Sequence, residues 1–317
     1  MSFIAAALSR RIIPRVGEVE PRASGLKTWI DEGSFYVELG AAPRSAWLKN
    51  VSLDEFVPYL AYDHQRFAFS SLESRLFSRP ERSRPRAIGW SLLKMYYSAF
   101  FGAHAMMRAT GLSIARIEGP HAKKLTEIAA LYAPNANFTP GTYEFRLVQN
   151  PDRTIDISVL PLSVTGGAHD QFWRAFYRFL SEVSTSVLDA NEPDAAATAG
   201  EVSDIQKVMA ARGFGSGTWL SAFRNQINYQ HEMKVWFPYG APATAVQAFS
   251  KFNPAGRKLP RLDYNPASEA IEAFIACCQA VGEANASLAD VIRGQAGANR
   301  FDRLWERLIS EANRTSA

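Results

Sequence analysis

The chain has 317 residues, 47% of them hydrophobic and 21% charged, which is typical of a globular protein and excludes a disordered or fibrous one. Its 35 Lys and Arg residues against 31 Asp and Glu give a net charge of +4, which suits an anionic partner without requiring one. The two cysteines are adjacent and no Cys/His cluster has zinc spacing, so we expect neither a disulfide framework nor a zinc site.

Residues 1–45 predict an N-terminal arm, with an organelle transit peptide as the alternative. The apolar run near the start is followed by arginines, which is the reverse of the order in a secretory signal. No segment reaches the roughly 18–20 apolar residues of a membrane span. GSFYVEL is the only short strand that this part of the pattern favours. We therefore expect a soluble, cytoplasmic protein whose folded domain begins near residue 46.

Helical periodicity begins at Ser52. Ser52 followed by Glu55 is a capping-box pattern, and apolar residues then recur at helical spacing as far as Leu76. Pro58 is compatible with this helix because it falls in the first turns.

The loop at residues 78–86, SRPERSRPR, contains two prolines and cannot easily be helical. It is either a solvated connector or a contact to the phosphate backbone of RNA, because arginine donors match phosphate geometry. Its candidate RNA-binding residues are Arg79, Arg82, Arg84 and Arg86.

The next helix, residues 87–111, is apolar nearly all round, which predicts a central, buried position. Its His104 lies on one stripe with Tyr97 and Phe101. This position favours a core histidine that is satisfied by a neighbour over a catalytic one.

A change of period near residues 143–162 predicts a β-hairpin within the helical pattern. Residues 191–200 are predicted to be a flexible connector. GFGSG at residues 213–217 is either a helix breaker or, through Gly215, a contact to RNA or nucleotide. We therefore expect a helical domain over 46–240 and a C-terminal helical extension over 241–317, with helices near 266–293 and 298–313.

The sequence RNQINYQH, starting at Arg224, carries the candidate chemistry. An offset of seven residues in an α-helix is about 700°, within roughly 20° of two full turns, so Arg224 and His231 are expected on one face. Asn228 would lie between them, and Asn225 follows the arginine. Leu220, Phe223 and Ile227 would form an adjoining apolar stripe that docks against the bundle, which leaves the polar ridge to solvent or to a second subunit. The spacing alone is not specific, because Arg116 also precedes a histidine, His121, by a similar distance of five residues, although Gly119 and Pro120 interrupt that pair.

These residues resemble the motif of the HEPN superfamily, in which an arginine, a polar residue and a later histidine lie on one helix of a bundle. Many members are RNases of toxin–antitoxin, CRISPR-associated and phage-defence systems. The aromatic helix KMYYSAFFGAHAMMR is also similar to the family. The resemblance covers about residues 50–235. The expected fold is thus mainly α, a HEPN-like helical bundle with a small β-hairpin insertion and extra C-terminal helices.

The resemblance implies an endoribonuclease without metal or cofactor, acting as a toxin or antiviral defence effector. The 2′-hydroxyl of RNA would attack the adjacent phosphorus, with His231 moving the proton and Arg224 bracing the negative charge. Asn225 or Asn228 would orient the phosphate or the imidazole. A homodimer is expected to combine two such helices in a composite site, and an antitoxin or defence-system protein is a candidate partner. The alternative is a non-catalytic HEPN-like module that binds nucleotide, nucleic acid or a protein.

Overall fold

Helices predominate in the protein, and five strands form one antiparallel sheet. The expected mainly α class is therefore confirmed, but the β structure is larger than the hairpin insertion that we predicted. Among the described helices, no apolar stretch has the length that crossing a bilayer requires. A computed structural model describes residues 2–21, 24–42, 45–79, 88–152, 154–162, 165–236, 238–239, 243–251, 262–266, 268–296 and 300–316.

The helices and strands are numbered separately in chain order. The helices are α1 (Phe3–Ser9), α2 (Leu26–Glu32), α3 (Leu53–Leu76), α4 (Gly89–Ala109), α5 (Gly119–Tyr132), α6 (Ala168–Asp189), α7 (Ala195–Met209), α8 (Trp219–Asn225), α9 (Ala243–Lys251), α10 (Ala270–Ala296) and α11 (Arg300–Ser316). The strands are β1 (Tyr36–Leu39), β2 (Ala46–Ser52), β3 (Leu112–Ile117), β4 (Gly141–Gln149) and β5 (Thr154–Pro161).

The chain divides into two compact units, neither of which is continuous in sequence. The predicted boundaries near residues 45 and 240 are not boundaries of these units. The segment expected to be an arm contributes α1 to one unit and α2 and β1 to the other, so it is part of the folded protein. The helical unit comprises Met1–Arg10, Phe67–Ala103 and Trp173–Ala317, and the sheet unit comprises Arg11–Arg66 and His104–Phe172.

The sheet has the strand order β1-β2-β5-β4-β3, with every neighbouring pair antiparallel. The predicted hairpin is β4 and β5, and the GSFYVEL strand is β1, so both predictions are confirmed. In β5, Ile155, Ile157 and Val159 are buried and alternate with more exposed residues, as the twofold period of a strand requires. Strands β2 and β3 were not predicted from the sequence.

The start of α3 shows how local sequence sets an element of the sheet unit. The Ser52 hydroxyl accepts a hydrogen bond of 3.4 Å from the Glu55 amide, which confirms the predicted N-cap. Phe56 and Leu60 are buried on the inward side of this helix. Pro58 lies within its first turns, where the missing amide hydrogen costs little.

The helical unit has a largely aromatic core. As predicted, α4 is buried over much of its length, and its Tyr96 hydroxyl accepts a 2.9 Å hydrogen bond from the Trp173 indole of α6. Arg75 and Glu283 form a buried ion pair within the same unit. The predicted connector at 191–200 was wrong in part, because α7 already begins at Ala195. Alanine has the highest helix propensity, so the alanine-rich half of that segment extends the helix.

The C-terminal segment contains the two predicted long helices, α10 and α11, and the short α9 before them. Most of α10 is buried, including Phe274 and both cysteines. The structure thus confirms helices at both predicted positions, with α10 beginning a few residues later than expected.

Candidate functional site

The candidate motif begins on α8, a short helix fixed by its apolar side. Leu220, Phe223 and Ile227 are fully buried, as the expected apolar stripe required. The Phe223 ring stacks on the Phe274 ring of α10 with a centroid separation of 4.4 Å. Burying one such aromatic side chain contributes roughly 2–3 kcal/mol, so packing holds this short helix in place.

A glycine-rich turn precedes α8. Gly213 and Gly217 adopt φ values of 85° and 84°, a conformation that L side chains rarely adopt. A Cβ at Gly217 would also lie 2.6 Å from the Tyr177 ring. These two glycines support the helix-breaker interpretation of GFGSG. Gly215 is exposed with open space around it, and its contact to RNA stays a prediction.

The expected continuous α-helix from Arg224 to His231 was wrong. The α-helix ends at Asn225, residues 226–230 form a π-helix, and His231 is left-handed with φ 54° and ψ 25°. A π turn holds one residue more than an α turn, which shifts the direction of His231 by about 100° from the predicted face. Both residues are described, and no hydrogen bond joins their side chains.

Arg224 points into the helical unit and is only 9% exposed, whereas we expected it on a solvent-facing ridge. Its Nη2 donates a 2.9 Å hydrogen bond to the Tyr97 hydroxyl of α4, and its Nη1 donates a 3.0 Å bond to Asn225 Oδ1. Its Cζ lies 5.0 Å from the Tyr229 ring centroid and 5.9 Å from that of Tyr97. The guanidinium is therefore fixed by aromatic rings and neutral oxygens.

The charge of Arg224 has no carboxylate partner among the residues that the structure describes. Its Nε is buried and makes no hydrogen bond to any of them. Burial lowers the pKa of Arg224, but hydrogen bonds and charge interactions with Tyr97 and Tyr229 outweigh burial, and the pKa is raised. The side chain is therefore charged at any physiological pH, and its hydrogen bonds to the described residues go to neutral oxygens rather than to carboxylates.

His231 is exposed at the end of the π turn. Its ring lies 5.8 Å from the Trp236 ring. The Trp236 indole donates a 2.8 Å hydrogen bond to the Ile227 carbonyl, which ties the chain after His231 back to the π turn.

The remaining predicted site residues are less closely associated with Arg224. Asn225 contacts it directly, and Asn228 is half-buried on the π turn. Arg79 is exposed at the end of α3. The other three loop arginines lie outside the described residues, namely Arg82, Arg84 and Arg86.

His104 is the buried core histidine that the sequence predicted. Its Nδ1 lies 2.8 Å from Arg108 Nη1, and its ring stacks on Phe172 at 3.7 Å. Burial, helped by the charge of Arg108, holds the pKa of His104 well below its ordinary value. The second spacing match also behaves as expected, because Arg116 is on β3 and His121 is in the first turn of α5.

Sequence reasoning missed the aromatic partners of the site. Tyr97 was seen only as part of a buried stripe, and neither Trp90 nor Trp236 was singled out. The one available signal was the concentration of aromatic residues in α4, and it does not indicate which of them meets Arg224, 127 positions later. Within the described residues, no group of three or more His, Cys, Asp or Glu residues could hold a metal.

No family model matches the chain, and neither a curated protein nor a solved structure matches it.

Proposed function

We propose that this protein is an endoribonuclease that cleaves RNA without a metal, with Arg224 binding the scissile phosphate and His231 transferring a proton. One observation carries the proposal: the charged guanidinium of Arg224 is nearly buried, and among the described residues its hydrogen-bond partners are neutral. Burying an unpaired charge costs several kcal/mol, and a bound anion would recover this cost. A carboxylate partner would instead compete with phosphate.

The proposed reaction needs two proton transfers. A base removes the proton from the 2′-hydroxyl as its oxygen attacks phosphorus, and an acid protonates the departing 5′-oxygen. The products are a 2′,3′-cyclic phosphate and a 5′-hydroxyl. Arg224 offsets the negative charge that grows on the phosphorane oxygens, and Asn225 positions the guanidinium through its Oδ1. DNA is resistant because it lacks the 2′-hydroxyl.

A homodimer would complete this site. A single imidazole cannot serve as base and acid in the same step, whereas two copies supply two. His231 is exposed, so a second molecule can approach it, and a twofold axis brings the same surface together from both chains. We therefore propose a composite site that uses Arg224 and His231 from both protomers.

The second candidate is a non-catalytic HEPN-like module that binds nucleotide, nucleic acid or a protein. It is favoured by the π turn, which separates Arg224 from His231 and leaves their side chains without a mutual hydrogen bond. In this case Arg224 would bind a phosphate that is never cleaved.

The deciding experiment incubates purified protein with labelled single-stranded RNA in EDTA. Wild type is compared with Arg224→Ala and His231→Ala. Arg116→Ala and His121→Ala are matched controls, because they alter an arginine and a histidine of similar spacing in the sheet unit. We expect cleavage to cyclic-phosphate ends by wild type and the controls only. Cleavage that survives in the Arg224 and His231 variants would contradict the site, and binding without cleavage would favour the second candidate.

The proposed cellular role is that of a toxin or phage-defence effector. An active RNase should slow the growth of cells that express it. Arg224→Ala and His231→Ala should each relieve this toxicity at equal protein levels. If the variant that carries both substitutions were as toxic as wild type, the proposed role would be contradicted.

A further inference from the structure

An exposed tryptophan lies on the same helix as the tyrosine that holds Arg224. Trp90 is 68% exposed at the start of α4. Lys94 and Tyr97 follow Trp90 by four and seven residues, so their directions around the helix axis differ from that of Trp90 by only about 40° and 20°. The three side chains therefore form one row along the helix, about 10 Å long. Lys94 is exposed as well. The row thus leads from an aromatic ring through one cation to the guanidinium of Arg224.

Aromatic contacts connect Trp90 with the other end of the motif. Its ring meets the Trp236 ring edge-on, with a centroid separation of 5.3 Å and an interplanar angle of 85°. Trp236 in turn lies 5.8 Å from His231. The indole of Trp90 is therefore held by a neighbour while most of it remains open to solvent, which reduces the entropy lost when a ligand stacks on it.

From this arrangement we infer that Trp90 is a stacking platform for an unpaired base of single-stranded RNA whose phosphates bind Lys94 and Arg224. The inference deepens the proposed function and rests on it. Isolated apolar residues are common on protein surfaces and need no explanation. Here the exposed ring of Trp90 lies in one row with the cation Lys94, and the row ends at a second cation, Arg224, through Tyr97. Exposed aromatic rings next to cations are the arrangement that binds single-stranded nucleic acid. A base-paired strand would not offer its bases to Trp90.

Binding is measured with a fluorescent 2′-O-methyl RNA strand, whose blocked 2′-oxygen cannot attack phosphorus. Affinity is compared among wild type, Trp90→Ala, Trp90→Phe and Trp47→Ala. Trp47 is a matched control, because it is a partly exposed tryptophan with the Lys49 amine 5.4 Å from its ring, in the sheet unit. We expect Trp90→Ala to weaken binding by at least about fivefold, Trp90→Phe to retain most of it, and Trp47→Ala to leave it unchanged.

Inorganic polyphosphate separates base stacking from charge. It has phosphates and no bases, so Trp90→Ala should bind it as wild type does, whereas Arg224→Ala should bind it more weakly. The same strand in a duplex should bind more weakly than alone. The inference would be overturned if Trp90→Ala lost affinity for RNA and for polyphosphate to the same extent. It would also be overturned if Trp90→Ala bound RNA as tightly as wild type does. A loss of self-association in Trp90→Ala with RNA affinity intact would instead make the surface a protein interface.

The two proposals can fail separately. If wild type binds the modified strand through Trp90 but never cleaves ordinary RNA, the nuclease proposal fails and the stacking platform stands. If wild type cleaves RNA in an Arg224-dependent manner and Trp90→Ala binds and cleaves normally, the platform is refuted and the nuclease proposal stands.

Discussion

The guanidinium of Arg224 donates a hydrogen bond to the hydroxyl of Tyr97, which lies 127 residues earlier in the chain. Arg75 offers a contrast within the same unit, because its guanidinium pairs with the buried carboxylate of Glu283. Two arginines of similar burial thus have opposite electrostatic surroundings. The charge of Arg75 is neutralised by Glu283, whereas no carboxylate among the described residues neutralises that of Arg224.

Replacing each arginine by methionine should separate these roles. Arg75→Met removes the ion-pair partner of the buried Glu283 carboxylate, and we expect the free energy of unfolding to fall by about 3–5 kcal/mol. Arg224→Met removes a buried charge that has no carboxylate partner among the described residues, so we expect the free energy of unfolding to stay the same or to rise, together with loss of RNA cleavage. Urea denaturation and the cleavage assay measure both effects. A large destabilisation by Arg224→Met would indicate a structural arginine.

His231→Gly should separate the chemistry of this residue from its backbone. The left-handed conformation costs a non-glycine residue roughly 1–2 kcal/mol, and glycine adopts it without that cost. We expect His231→Gly to be as stable as wild type or slightly more stable, and inactive. His231→Val keeps the strain, adds β-branching and should be less stable than either. Thermal unfolding ranks the three proteins, and an active His231→Gly would exclude the imidazole from the reaction.

Mixing two inactive variants should test the composite site. Arg224→Ala and His231→Ala homodimers each lack one residue type in both sites. A mixed dimer supplies one arginine and one histidine and lacks the second of each, so a composite site that needs both pairs stays incomplete. We expect the mixture to remain inactive after subunit exchange, with dimer formation followed by light scattering. Recovery of cleavage in a verified mixed dimer would contradict a site that needs two imidazoles.

The buried His64 should make stability depend on pH. The pKa of His64 is lowered to about 4, mainly because the side chain is buried. A hydrogen bond to the Ala105 carbonyl raises the pKa and partly offsets burial, whereas the charge of Arg108 lowers the pKa further. As the pH falls below about 6.5, His64 takes up a proton in the unfolded chain but not in the folded chain. The contribution of His64 to the free energy of unfolding is therefore complete above pH 6.5 and is lost as the pH drops towards 4. The loss is about 3 kcal/mol across this window.

His64→Asn tests this prediction, because asparagine can still donate to the Ala105 carbonyl but does not titrate. Urea denaturation at several pH values should give a flatter profile for the variant than for wild type. His231→Asn, at an exposed position, is the control. Parallel profiles for wild type and His64→Asn would assign the acid sensitivity to other groups.

Local sequence was sufficient wherever residues close in the chain determine the structure. The start of α3 is fixed by a hydrogen bond between Ser52 and Glu55, which are three residues apart in the chain. The alternation of Ile155, Ile157 and Val159 identified β5, and the tight turn before it identified β4 as its partner. The apolar stripe of Leu220, Phe223 and Ile227 correctly predicted which side of α8 is buried.

Tertiary structure decided whatever depends on distant partners. Strand β2 pairs with β5, which lies more than a hundred residues later in the chain, and the pairing contains a register shift. The short sequence of β2 therefore has no adjacent partner strand and no regular pattern by which it could be recognised as a strand. Helical geometry aligned Arg224 with His231 only if the helix were α throughout, and a π turn removed that alignment. The sequence by itself determined that an arginine and a histidine lie near each other in the chain. Only the fold determined that the arginine is buried against Tyr97, with no carboxylate partner in the described part of the chain, because that environment comes from a residue 127 positions away.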